Sequence, residues 1–91
     1  MNLEVQAKRM EATNMRLNRE AVAAELEKRM ADAGKMQSEL ATASGISQSS
    51  LSDILNCKQN LTIVQAYRLG RVSWLKVSAV QLMKLAITGL E

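Results

Sequence analysis

Ninety-one residues with a net charge of +3 fit one compact domain and a short extension, and are too few for a typical two-domain enzyme. There is no histidine and only one cysteine, Cys57, so an intrachain disulfide is excluded and the commonest zinc ligand and general base are missing. Metal sites, catalytic triads and cofactors are therefore not expected, and the chain reads as a non-enzyme.

The only aromatic residues are Tyr67 and Trp74, so a core must be built from Leu, Ile, Val, Ala and Met. Proline is absent and the β-branched residues do not alternate with polar ones over any long run, which points to an all-α chain. No stretch approaches the ~18 apolar residues of a membrane span. Glu4, Lys8 and Arg9 are unlike a secretory apolar segment, so a cytoplasmic location without a membrane partner is expected. The basic excess is modest and scattered; it permits a nucleic-acid partner without demanding one.

Residues 1–17, MNLEVQAKRMEATNMRL, place Leu3, Met10 and Leu17 along a narrow apolar seam if helical. Three positions fit a short coiled-coil arm and a frayed, partner-dependent arm equally well. The domain proper is expected over residues 18–91. Asn18 can cap a first helix, with Glu20 in its first turn, Val22, Leu26 and Met30 following at intervals of four, and an end near Gly34. A second helix of about two turns, in MQSELATASG, puts Leu40 and Ala41 on one face and stops at Gly45. In the third, ISQSSLSDILN, Ser47 is the N-cap and Ile46, Leu51, Ile54 and Leu55 form the buried side. Two short helices joined by the Ser44-Gly45-Ile46 corner meet the requirement of a helix-turn-helix. Two capping boxes, Thr62 with Gln65 and Ser78 with Gln81, predict helices over about 62–73 and 78–88. The last is apolar around more of its circumference than one core contact needs: Val80, Met83, Ala86 and Ile87 form one stripe while Leu82 and Leu85 point elsewhere. That surplus marks either a dimer face or ordinary core packing.

The run GKMQSELATASGISQSSLSDILNCKQNLTIVQAYRLGR resembles the helix-turn-helix of Xre/Cro-type repressors. Gly34, Gln37, Glu39, Leu40, Ala41, Gly45, Ile46 and Ser47 fall on the family's pattern without a gap, and LSDILNCKQNLT is similar to the HigA-like antitoxin branch. The resemblance spans residues 20–83. It implies a five-helix, lambda-repressor-like domain behind an N-terminal helical or flexible arm. Three positions depart from the pattern. Met36 stands where the family often has a capping Thr, and Cys57 replaces a Gly that leaves the recognition helix through a positive φ. The connection VSWLKVSAVQL is longer than usual, with Lys76 at the place of a Gly.

A recognition helix must bring side chains near its N-terminus to base edges in the major groove, and short serines allow that approach. With Leu51 and Ile54 turned inward, Gln48, Ser49, Ser52 and Asp53 are free to read bases: Gln48 can pair with adenine N6 and N7, and Asp53 can accept from cytosine N4. The resemblance assigns Gln37, Ser47, Ser50, Asn56 and Lys58 to the sugar-phosphate backbone. The plainer reading of the same residues is a solvated helix face. One monomer presents few cations beside this helix, so a homodimer on a palindromic operator of double-stranded DNA is expected. Its interface is expected at Val80, Met83, Ile87 and Trp74, or in the N-terminal arm. Trp74 serves as a core or interface anchor. Arg16, Arg19, Arg68 and Lys84 reach flanking phosphates or are simply solvated. The functional expectation is a dimeric transcriptional repressor of its own or a neighbouring promoter, in an antitoxin or mobile-element context. The alternative is an adaptor that binds a toxin or other protein through its apolar arm or fifth helix.

Overall fold

The computed structural model describes residues 19–87, and among them every regular element is helical. The expected arm at 1–17 with Leu3, Met10 and Leu17, the Asn18 cap, Arg16 and the last four residues lie outside the described residues. The helices are α1 (Arg19–Ala33), α2 (Gln37–Ser44), α3 (Gln48–Leu55), α4 (Ile63–Gly70) and α5 (Ala79–Ile87), with a 3₁₀ turn at Ser73–Leu75 between the last two.

Helix α1 carries its apolar residues at the spacing of one helical face, and Val22, Ala23, Leu26 and Met30 are all buried. Its outer side is polar, with Glu25 and Arg29 paired one turn apart at 3.1 Å. The helix stops where Gly34 takes φ 66°, and the Gly34 and Lys35 N–H groups donate to the Ala31 and Met30 carbonyls at 3.1 and 2.9 Å. This pair of bonds is a Schellman stop, which satisfies carbonyls the helix would otherwise leave open.

Helix α2 begins at Met36, whose side chain supplies no oxygen cap; the Glu39 carboxylate instead accepts from the Met36 N–H at 3.0 Å. The helix ends at Gly45, φ 76°, whose N–H donates to the Ala41 carbonyl at 3.0 Å. In α3, Ser47 is the N-cap and its hydroxyl accepts from the Ser50 N–H at 3.1 Å. Both capping boxes form. Thr62 and Gln65 exchange bonds of 3.0 and 3.1 Å, and Ser78 and Gln81 exchange bonds of 2.8 and 3.0 Å.

One expectation is corrected here: the fourth helix does not run to residue 73. It ends at Gly70, and Val72 adopts an extended backbone with φ −77° and ψ 106° before the 3₁₀ turn. Burial drives the break, because Val72, Leu75 and Val77 all enter the core, which a straight continuation of α4 would not deliver. Gly70 allows the return. A Cβ there would meet the Ala79 backbone nitrogen at 2.6 Å, so α5 passes directly against the α4 backbone.

Helix α1 packs on α3, α5 and the 3₁₀ turn, α2 packs on α3, and α4 packs on α5. Leu26, Leu40, Leu51, Ile54, Leu69, Leu75 and Leu82 are fully buried at the centre. Burying each such side chain contributes about 1.5–3 kcal/mol before chain entropy is charged against it. The fifth helix therefore has a core side, led by Leu82, and an outer side on which Val80 and Ile87 remain 64% and 48% exposed. Met83 and Ala86, expected on the outer stripe, are partly buried and pack against the core.

Candidate nucleic-acid interface

Helix α3 has two unlike sides. Leu51 and Ile54 are buried to within 1% of complete, and Leu55 packs against the same core from its edge. On the opposite side, Gln48 and Ser49 are exposed and Ser52 and Asp53 half-buried. Gln48 with Ser52, and Ser49 with Asp53, are pairs one turn apart, so all four side chains expected to read bases share one continuous face. Gln48 and Ser49 are open to solvent, while Ser52 is partly covered by the Asn56 amide one turn on.

The helix is held at both ends. At its start the Ser47 cap occupies one lone pair of that hydroxyl, so Ser47 acts first on the helix itself. At its end the Cys57 and Lys58 N–H groups donate to Ile54 and Asp53 carbonyls at 3.1 and 2.7 Å, a second Schellman stop. Cys57 sits in it with φ 61°, the left-handed conformation that costs a non-glycine residue about 1–2 kcal/mol.

The residues expected on the sugar-phosphate backbone fall into two groups. Lys58 is exposed, Ser50 half-buried, and Gln37 half-buried in the first turn of α2. Asn56 is exposed, but its amide is engaged within the helix, donating to the Ser52 carbonyl at 2.9 Å and the Ser52 hydroxyl at 3.2 Å. Ser52 accepts that bond and keeps its own O–H as a donor.

Two arginines weighed as flanking phosphate contacts have structural partners. The Arg19 Nε donates to the Asn60 Oδ1 at 2.7 Å and its NH1 reaches the Cys57 carbonyl at 3.5 Å, fastening the loop after α3 to the start of α1. Arg68 NH1 donates to the Gly45 carbonyl at 3.1 Å, fastening α4 to the corner between α2 and α3. Arg68, Arg71, Thr42 and Gly45 together line a shallow polar groove beside that corner. Lys84 is exposed on α5. Neither arginine link has a local sequence signal, because each joins residues far apart in the chain.

Trp74 is half-buried against the core, at the edge between a groove lined by Arg29, Asp32 and Lys76 and another lined by Ser38, Glu39 and Thr42. The Lys35 ammonium lies 5.8 Å from its ring centroid. Trp74 thus anchors the 3₁₀ turn against the core while part of its ring stays exposed. No helix among the described residues is long and apolar enough to cross a membrane. Compared with known proteins, the chain matches no family model, no curated protein and no solved structure.

Proposed function

We propose that this chain is a sequence-specific, double-stranded-DNA-binding transcriptional regulator, with α2, the Gly45 corner and α3 as a helix-turn-helix in a lambda-repressor-like bundle. One observation carries the reading: a short polar face of Gln48, Ser49, Ser52 and Asp53 is presented outward by a helix whose other face is fully buried and whose ends are both capped. Groove recognition needs that combination of reach and rigidity, since small side chains let the helix approach base edges and fixed ends preserve their register.

The active form is a homodimer in the cytoplasm, joined through the Val80 and Ile87 side of α5. Paired recognition helices about 34 Å apart then meet successive major grooves of a palindromic operator. Occupying that site represses the chain's own or a neighbouring promoter, as an antitoxin or a mobile-element regulator does. Selection of bound sequences from random duplex DNA tests binding, half-site spacing and symmetry together. A palindromic consensus is expected, with base preferences that change in the Gln48→Ala and Asp53→Ala variants. Unchanged preferences in both variants would remove the site assignment.

The second reading is a protein-protein adaptor that uses the same bundle as a scaffold. It is favoured by the exposure of Val80 and Ile87 on α5, which a monomeric DNA-binding unit does not require. Absence of any enriched DNA sequence, with retained self-association, supports this alternative.

A further inference from the structure

Helix α4 buries Ala66 and Leu69 completely on one side, yet its outer side is also apolar: Ile63, Val64 and Tyr67 are 74%, 60% and 58% exposed. A single exposed isoleucine is unremarkable, but three bulky side chains within about two turns expose a few hundred Å² together, the scale at which surface patches mark interaction sites. The charged side chains of α4 and its C-cap have one sign. Arg68 on the same helix and Arg71 at its C-cap follow it, and the Arg71 guanidinium lies 5.7 Å from the Tyr67 ring centroid. From Ile54 to Leu90 the sequence holds Lys58, Arg68, Arg71, Lys76 and Lys84 without one aspartate or glutamate. Neither α4 nor its neighbour α5 carries an acidic side chain to neutralise the rim.

Apolar anchors in a cationic rim are complementary to a surface that is apolar at its centre and acidic at its edge. We propose that the outer face of α4 docks an acidic amphipathic helix of another protein. Ile63, Val64 and Tyr67 enter its apolar stripe, and Arg68 and Arg71 pair with the carboxylates flanking it. Arg68 uses one N–H on Gly45 and retains further donors for this purpose. A second copy of this chain is a poorer occupant, because a two-fold contact between α4 faces sets Arg68 and Arg71 against their own like charges. Duplex DNA would meet the two arginines but leave the three apolar side chains without apolar partners.

Gly70 marks the side of α4 that meets α5; Ile63 and Tyr67 lie roughly 20° and 60° around the helix from it, and Val64 and Arg68 roughly 120° and 160°, so the patch runs from the α5 edge onto the outer side of α4. The proposal does not depend on the DNA-binding reading.

The test is an amide chemical-shift titration of the full, isotope-labelled chain with two synthetic peptides. One is an amphipathic helix with a leucine stripe flanked by glutamates; the other has every glutamate replaced by lysine. The glutamate peptide is expected to give saturating shifts at residues 63–71, with at least about tenfold tighter binding than the lysine peptide and weakening as salt rises. The double substitution Ile63→Ser with Tyr67→Ser is expected to weaken that binding at least about tenfold while leaving the α3 amides in place. Absence of shifts in α4, or equal binding of both peptides, overturns the proposal. So does a dimer that dissociates in the double variant, which would assign the face to a second copy. Shifts at 63–71 produced by duplex DNA instead would assign it to nucleic acid. Failure of the DNA reading alone shows as no enriched sequence in the selection while the glutamate peptide still binds.

Discussion

Arg68 and Gly45 are 23 positions apart in the chain and joined by one hydrogen bond of 3.1 Å, from the guanidinium to the carbonyl at the corner before α3. The bond ties the fourth helix to the residue whose left-handed backbone sets the angle between α2 and α3. The Arg68→Ala variant is expected to lose about 1 kcal/mol of stability, since the site is exposed and only part of a charged hydrogen bond's worth is realised. Urea unfolding should show a lower midpoint with an unchanged slope. If α3 reads DNA as proposed, affinity should fall further than this stability loss explains, because the corner that orients α3 loses its tether.

Left-handed backbone predicts substitutions of opposite sign at equivalent stops. Gly34 and Cys57 both terminate helices with φ above 60°. Nothing lies within 4 Å of a Cβ added at Gly34, so Gly34→Ala is expected to cost about 1 kcal/mol from conformation alone. Cys57→Gly relieves the same strain but gives the unfolded chain more freedom, leaving a net gain of about 0.5–1 kcal/mol. Paired thermal melts of these two variants should move Tm in opposite directions.

Gly70 is a different case. Its φ is ordinary, but an added methyl would stand 2.6 Å from the Ala79 backbone nitrogen, and backbone cannot swing aside as a side-chain tip can. Gly70→Ala is expected to push α5 away from α4 and cost about 2–3 kcal/mol, in the range of overpacked cores. If self-association runs through α5, sedimentation should show a weakened dimer in the same variant even at temperatures where the monomer stays folded.

The devices legible in the sequence are local ones. Ser47, the Thr62–Gln65 and Ser78–Gln81 boxes, and the stops at Gly34 and Gly45 each depend on residues within a turn of one another, so spacing alone reveals them. The inward side of α3 was legible for the same reason, because Leu51 and Ile54 stand out against polar neighbours. The end of α4 was not: Val72 and Leu75 continue a three-residue spacing from Leu69, but each step drifts about 60° around a straight helix, and only the demand that Leu75 enter the same core as Ala66 breaks the chain there. Nor was the orientation of α5, where apolar residues occur nearly all round and only packing decides that Leu82 goes in while Val80 stays out. The Arg19–Asn60 and Arg68–Gly45 links are properties of the folded chain, since nothing near either arginine specifies its distant partner.

Two serines two residues apart, the N-cap Ser47 and Ser49 in the first turn of α3, separate stability from recognition. Ser47 spends its hydroxyl on the Ser50 N–H, so Ser47→Ala removes an N-cap and is expected to cost about 1 kcal/mol in stability. Ser49 is exposed on the opposite side from Leu51, where loss of its hydroxyl leaves the fold's own contacts intact. Ser49→Ala should therefore unfold at the wild-type urea midpoint, within about 0.5 kcal/mol. If this face reads DNA, the same variant should weaken binding to the selected operator by about 1 kcal/mol, the scale of one neutral hydrogen bond. Its binding to unrelated duplex, governed by the cations, should not change. Equal losses on operator and unrelated DNA would make Ser49 a bystander on a solvated helix, because a base-reading hydroxyl must discriminate between them.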